Sequence, residues 1–215
     1  MYTDSLLSTT WDDNYWSNVR FTLYRTAIIQ RSYIDLILSE VSTGSKILEA
    51  GFGSATTIML LHDLGYDVYG FENSDVILKQ AVERFPMLSG KLYNGNILDD
   101  DSYKSRYSAV IHQGVMEHFT DDEILRILAI QSESADKVIF DIPNNQRVLK
   151  TYPGIETRYE SPAFWEDIVM KAGLKFKRFG RNLDKDNDLI PETLKKYDSS
   201  FMMKYGRSSM FVCHI

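Results

Sequence analysis

From residue 46 onward the chain alternates between two hydrophobic rhythms. Short apolar runs read as strands: Lys46 to Ala50, Asp67 to Glu72, Lys91 to Asn94, Tyr107 to His112, Lys137 to Ile142, Leu174 to Gly180 and Arg207 to Ile215. Longer stretches with helical spacing lie between them. Ser54 to Leu64 is one. The next carries Leu78, Ala81, Val82 and Phe85 at i, i+3, i+4 and i+7, with Ser74 as its N-cap and Asp75 in its first turn. T-D-D-E at 120–123 matches a capping box, and Ile124, Ile127 and Leu128 follow it. Ser161 and Pro162 open a helix with Trp165, Ile168, Val169 and Ala172 on one face, and Gly173 suits its stop. Residues 14–40 form a helical lead-in.

Strands alternating with helices predict an α/β protein with a mostly parallel sheet of about seven strands and helices on both faces. Residues 181–206 are mostly charged and polar and hold no apolar helix of full length. The last strand is therefore expected to run antiparallel, in a final pair at one edge. One domain over 1–215 suits the length. The 44% of hydrophobic residues is enough for a buried core.

No apolar run approaches the roughly 20 residues of a membrane span, so no membrane partner is expected. The N-terminus lacks the basic start and apolar centre of a signal peptide. Cys213 is the only cysteine, which excludes an intrachain disulfide and points to a reducing cytoplasm. It lies in an apolar strand and reads as a buried thiol. A net charge of −6 with no basic segment speaks against a nucleic-acid partner. No paired-cysteine or H-E-x-x-H pattern appears, so no metal is expected.

The chemistry gathers at I-L-E-A-G-F-G-S-A, residues 47–55. Glycines between a strand and a helix let a ligand approach bare backbone. A dinucleotide site needs G-x-G-x-x-G. Here Gly51 and Gly53 are present and the third glycine is not. Glu49, two residues before Gly51, would repel a pyrophosphate and suit a ligand with a positive charge. S-adenosylmethionine has an ammonium, a sulfonium and no phosphate. Glu72 ends the second strand and can accept both ribose hydroxyls, a feature shared with dinucleotide sites.

In this order of motifs the chain resembles the class I S-adenosylmethionine-dependent methyltransferases, over roughly residues 45–180. E-A-G-F-G-S-A is similar to their first motif, with Ala55 at the third small position. V-Y-G-F-E-N-S is similar to the second, and H-Q-G-V-M-E-H-F at 112–119 to the fourth. The third usually reads G-D, and here it is Gly95-Asn96-Ile97. The resemblance implies a Rossmann-like fold and methyl transfer from S-adenosyl-L-methionine. It assigns Glu49, Gly51, Gly53, Glu72, Asn73, Asn96, Ile97 and Gln113 to the cofactor. It implies His118 as the candidate general base, with a structural histidine as the competing role. Glu117 is read equally as a helix-surface charge or a site residue, and His112 as part of the wall.

In-line methyl transfer needs alignment and a suitably protonated acceptor, not a nucleophilic side chain. The acceptor pocket is expected from segments outside the common core: a lid within 1–40, and insertions at 143–160 and 181–206. Tyr15, Trp16, Arg20, Arg147, Arg158 and Tyr159 are the substrate-binding candidates, since arginine and aromatic groups suit a small planar or anionic acceptor; Arg147, Arg158 and Tyr159 are read equally as pins that hold a long loop to the surface. The leading expectation is methyl transfer to O or N of a small molecule. The alternatives are a nucleic-acid or protein methyltransferase, and a non-catalytic cofactor-binding domain.

Overall fold

The computed structural model describes residues 22–145, 157–181 and 208–215. Seven strands form one sheet in the order β3-β2-β1-β4-β5-β7-β6. They are β1 (Lys46–Ala50), β2 (Asp67–Glu72), β3 (Leu92–Asn94), β4 (Ala109–Gln113), β5 (Lys137–Pro143), β6 (Lys175–Arg181) and β7 (Ser208–His214). Neighbours among β1 to β5 pair in parallel, with Glu49 opposite Gly70 on one side and Ile111 on the other. β7 runs antiparallel to both β5 and β6. The expected antiparallel pair is thus present. Its last member lies inside the sheet and leaves β6 at the edge.

Each strand's alternation feeds two separate cores. Ile47, Val68, Ala109, Ile111, Ile139 and Val212 pack on one face with α2 (Arg31–Glu40), α3 (Thr56–Asp63) and α4 (Asp75–Arg84). Leu48, Phe71, Val110, Phe140 and Phe211 pack on the other with α5 (Asp121–Ser134) and α6 (Pro162–Lys171). The predicted helix starts are present. Ser74 accepts from Ile77 N–H, Ser161 accepts from Phe164 N–H, and Thr120 and Glu123 close a reciprocal capping box. Gly173 ends α6 with φ +76°.

The lead-in is not one helix. It breaks at Gln30 into α1 (Leu23–Ile29) and α2. From α2 the buried Tyr33 hydroxyl reaches the His112 and Ile139 carbonyls at 2.9 and 3.0 Å, which pins this helix across β4 and β5. Gly70 in β2 leaves room for the loop after β1, because a Cβ there would come within 2.9 Å of both Ile58 and Phe52. The strand order reverses between β1 and β4. A crevice at such a reversal, beyond the carboxyl ends of the strands, is the ligand position in open α/β sheets.

Candidate functional site

Loops from four strands meet at that crevice. The loop after β1 carries φ values of +72° at Gly51, +50° at Gly53 and +54° at Ala55. Its first two amides are tied to β2: Gly51 and Phe52 N–H both donate to the Phe71 carbonyl, at 2.9 and 3.4 Å. Gly51 also faces the turn after β4, since a Cβ on it would lie 3.3 Å from Val115. The first and fourth motifs are therefore in contact here, through Gly51 and Val115.

Glu49 shares the strand face of Ile47, beneath α3. It is 4% exposed, and its Oε2 has no hydrogen-bond partner. Burial lifts its carboxyl to about 8, and the nearby Glu72 charge adds to the shift. The Ile58 N–H, in the first turn of α3, opposes it. An orphaned buried carboxylate oxygen beside a glycine loop is a ready acceptor for a cationic group.

Glu72 is buried at the end of β2. Its Oε2 accepts from Gly53 N–H at 3.1 Å, and its Oε1 from Asn73 N–H at 2.9 Å and Ser74 N–H at 3.4 Å. It bridges the first and second motifs. Burial raises its pKa against the pull of these three amides. Carboxylate oxygens have further lone pairs, so these bonds do not exhaust its accepting capacity. Asn73 is exposed, and its carbonyl accepts from Asn94 Nδ2 at 3.4 Å.

After β3, Gly95 N–H donates to the Glu72 carbonyl at 3.1 Å. Asn96 Oδ1 accepts from Leu98 N–H at 3.0 Å, a local turn made by its own side chain. Ile97 is buried, and its carbonyl accepts from the Tyr103 hydroxyl. A polar depression of about 480 Å³ opens beside this turn, between Asn94, Asn96, Asp99 and Arg126.

Gln113 leaves β4 with its Nε2 donating to Asp141 Oδ2 of β5 at 2.7 Å. Asp141 and Asn144 are both buried, and Asn144 Nδ2 donates to Ser209 Oγ at 3.3 Å. Beyond Gly114 (φ +65°) comes a 3₁₀ turn over Met116–His118. Glu117 and His118 are 4% and 7% exposed, so Glu117 is not a helix-surface charge. His112 belongs to the core: it stacks on Phe140 at 5.2 Å, and burial presses its pKa down to about 3. It stays neutral at any physiological pH. Burial pushes the Cys213 thiol up to about 12, as fits a buried structural thiol.

Arg158 pins its segment to the protein, the second of the two roles read for it. It is 5% exposed and pointed into the protein. Its N–H donates to the Glu117 carbonyl and its Nη1 to the Phe119 carbonyl, both at 2.9 Å. Nη2 pairs with Asp121 at 2.7 Å and lies 3.5 Å from Glu160. The guanidinium also lies over the rings of Phe164 and Trp165. The residue staples the segment before α6 to the turn that carries His118. Tyr159 is half-buried beside it. Tyr15, Trp16, Arg20 and Arg147 lie outside the described residues, as do most of the two expected insertions.

Sequence reasoning passed over Thr26, Thr56 and Asp141 as parts of this region, whereas Ser54 and Val115 lie inside the first and fourth motifs. Asp141 sits near the end of a predicted strand. Thr26 and Thr56 are ordinary residue types brought in by helix docking. Among the described residues, no group of three or more His, Cys, Asp and Glu side chains is placed to hold a metal ion, and no helix is long and apolar enough to cross a membrane.

No protein-family model matches the chain, and no curated protein matches its sequence. Solved structures do match its fold. Magnesium protoporphyrin IX methyltransferase from Synechocystis PCC 6803, crystallised with S-adenosylmethionine, superposes with a TM-score of 0.67 at 14% identity, covering 100% of this chain and 99% of that one. A SAM-dependent methyltransferase from Archaeoglobus fulgidus gives 0.67 at 13% identity, covering 96% and 100%. The small RNA methyltransferase HEN1 gives 0.63 at 17% identity over 86% of this chain and 25% of its own. The fold is that of the class I S-adenosylmethionine-dependent methyltransferases, with its seven-stranded sheet and antiparallel last strand.

Proposed function

We propose that this protein transfers a methyl group from S-adenosyl-L-methionine to an oxygen or nitrogen atom of a small molecule. The observation that carries the reading is the loop after β1: a backbone of positive φ flanked by the orphaned Glu49 oxygen and by Glu72, which is already bonded to Gly53. When bound, the cofactor supplies an activated methyl on a sulfonium. Glu49 would receive its ammonium, Gly51 and Gly53 would admit its methionine part past bare backbone, and Glu72 would accept the ribose hydroxyls. Asn73, Asn96 and Ile97 would flank its adenine end, and Gln113 its methionine end. A pyrophosphate fits this site poorly, because its charge would oppose ionisation of both buried acids, whereas a cationic ligand favours it.

The turn at Met116–His118 stands at the exit of β4, where the acceptor would meet the methyl group. His118 is the candidate base for a hydroxyl or ammonium acceptor. Asp121 and Glu160 balance the charge of Arg158, which braces the segment beside this turn. The net charge of −6 favours a small molecule over nucleic acid.

Titration calorimetry with S-adenosylmethionine, S-adenosylhomocysteine and NAD tests the cofactor. Binding of the first two and not the third is expected, and the opposite result would overturn the reading. A metabolite screen for cofactor-dependent methylation, with RNA included as a competing acceptor, then tests the acceptor class. Methylation of RNA alone would replace the small-molecule assignment. Cofactor binding with no acceptor in either pool would favour the non-catalytic alternative.

A further inference from the structure

Helix α3 begins under conditions that its own sequence does not favour. Its N-cap is Ala55, which has no side chain to accept an amide and sits in the left-handed region at φ +54°, ψ +15°. A helix start without a side-chain cap and left-handed backbone in a non-glycine residue are each unfavourable. No acidic residue occupies the first turn. Backbone of this kind persists only when its surroundings hold it.

The support comes from the lead-in helix. Thr26 of α1, 1% exposed, donates its hydroxyl to Thr56 Oγ1 at 2.9 Å. Thr56 Oγ1 shares a second hydrogen bond with Ser54 Oγ at 2.8 Å. Beside them Thr57 Oγ1 donates to the carboxamide oxygen of Gln30, the residue that joins α1 to α2. Ser54 and Thr56 flank Ala55, and Thr57 follows in the first turn of α3. Behind the same helix start lies the orphaned oxygen of Glu49.

We infer that Thr26 and Gln30 are positioning residues for the cofactor loop, so that docking of α1 and cofactor binding are coupled. The inference rests on the methyltransferase reading. If α1 holds the loop in its binding geometry, the bound cofactor must stabilise the docked α1 by the same free energy, because coupling between sites is reciprocal. Neither residue is assigned a contact with the ligand. Their effect passes through Thr56, Thr57 and Ser54.

The test uses the full chain and S-adenosylhomocysteine as the probe. Thr26→Val removes the hydroxyl and keeps the shape, and Thr26→Ser restores the hydroxyl. Thr26→Val is expected to weaken binding about three- to tenfold, the scale of one buried hydrogen bond. It should also speed hydrogen exchange at the amides of residues 53–58. Thr26→Ser should stay within about twofold of wild type. Gln30→Ala, at a half-buried position where folding is less at risk, should act in the same direction as Thr26→Val. Equal binding by wild type and both network-breaking variants would overturn the coupling. So would a Thr26→Ser protein as weak as Thr26→Val, since that would assign the effect to packing. A wild-type protein that does not bind the probe would instead remove the methyltransferase reading, and this inference with it.

Discussion

At the scale of single residues, the carboxylates of the crevice carry the clearest electrostatic signature. Glu49 is lifted to about 8 from an ordinary 4.5. The folded protein therefore keeps a proton that the unfolded chain gives up. The stability from this group is complete below pH 4.5 and is lost as pH rises toward 8. Glu49→Gln imitates the protonated form. Its stability relative to wild type should rise across that window and level off above it, as read from urea midpoints in the absence of ligand. Parallel pH profiles for the two proteins would show that Glu49 is not perturbed. His118 offers a second residue-scale test. If it removes a proton from the acceptor, His118→Ala should lower turnover about 10²–10⁴-fold with cofactor affinity nearly unchanged. A near-normal rate in a stable variant would assign it a structural role.

At the scale of elements, the segment before α6 is held by the Arg158 side chain together with two backbone bonds, Arg158 N–H to the Glu117 carbonyl and Asn145 N–H to the Glu160 carbonyl. Arg158 supplies donors to the carbonyls on both sides of His118, and its charge is balanced at the N-terminus of α5 by Asp121. Arg158→Met keeps the volume and removes every polar bond of the guanidinium. Asp121 and Glu160 stay partly exposed, so water recovers some of their loss. The cost expected is about 2–4 kcal/mol, most of it from the carbonyl left without its donor and the broken ion pairs. Denaturant midpoints measure it. A change under about 0.5 kcal/mol would mean that the segment is held by apolar packing on Phe164 and Trp165 instead.

At the scale of the molecule, one sheet with a core on each face places the ends of β1, β2, β4 and β5 along a common edge. The loops at that edge are strapped to one another rather than to solvent. Gly51 binds Phe71, Gly53 binds Glu72, Gly95 binds Glu72, and Gln113 binds Asp141. A ligand held there stabilises the whole fold by mass action, not just one loop. At a hundredfold excess over its dissociation constant the gain is about 2.7 kcal/mol. For a domain of this size that is a rise of roughly 5–10 °C in melting temperature. S-adenosylhomocysteine should produce such a shift and NAD should not. The same protein should show its strongest gain in hydrogen-exchange protection at this strand edge.

The sequence by itself determined the elements and their kind. Period-2 runs and helical stripes are local signals, and so are the caps at Ser74, Thr120 and Ser161, because each depends on residues within one turn. It also determined which residues end the strands, and hence that Glu49, Gly51, Gly53 and Glu72 share an edge. What it left open depends on residues far apart in the chain. Ala55 read as a mild departure from a glycine pattern, yet the backbone there is left-handed all the same, which only the folded loop shows. Arg158 read equally as an acceptor-binding side chain and as a pin for its loop. Only the folded chain shows the carbonyl of Phe119 and the two acids that receive its guanidinium. Glu117 had no local feature to separate a solvated helix charge from a buried turn. The break at Gln30 was invisible for the same reason: its carboxamide answers to Thr57, 27 residues further on, and hydrogen bonds of that span are decided by packing rather than by pattern.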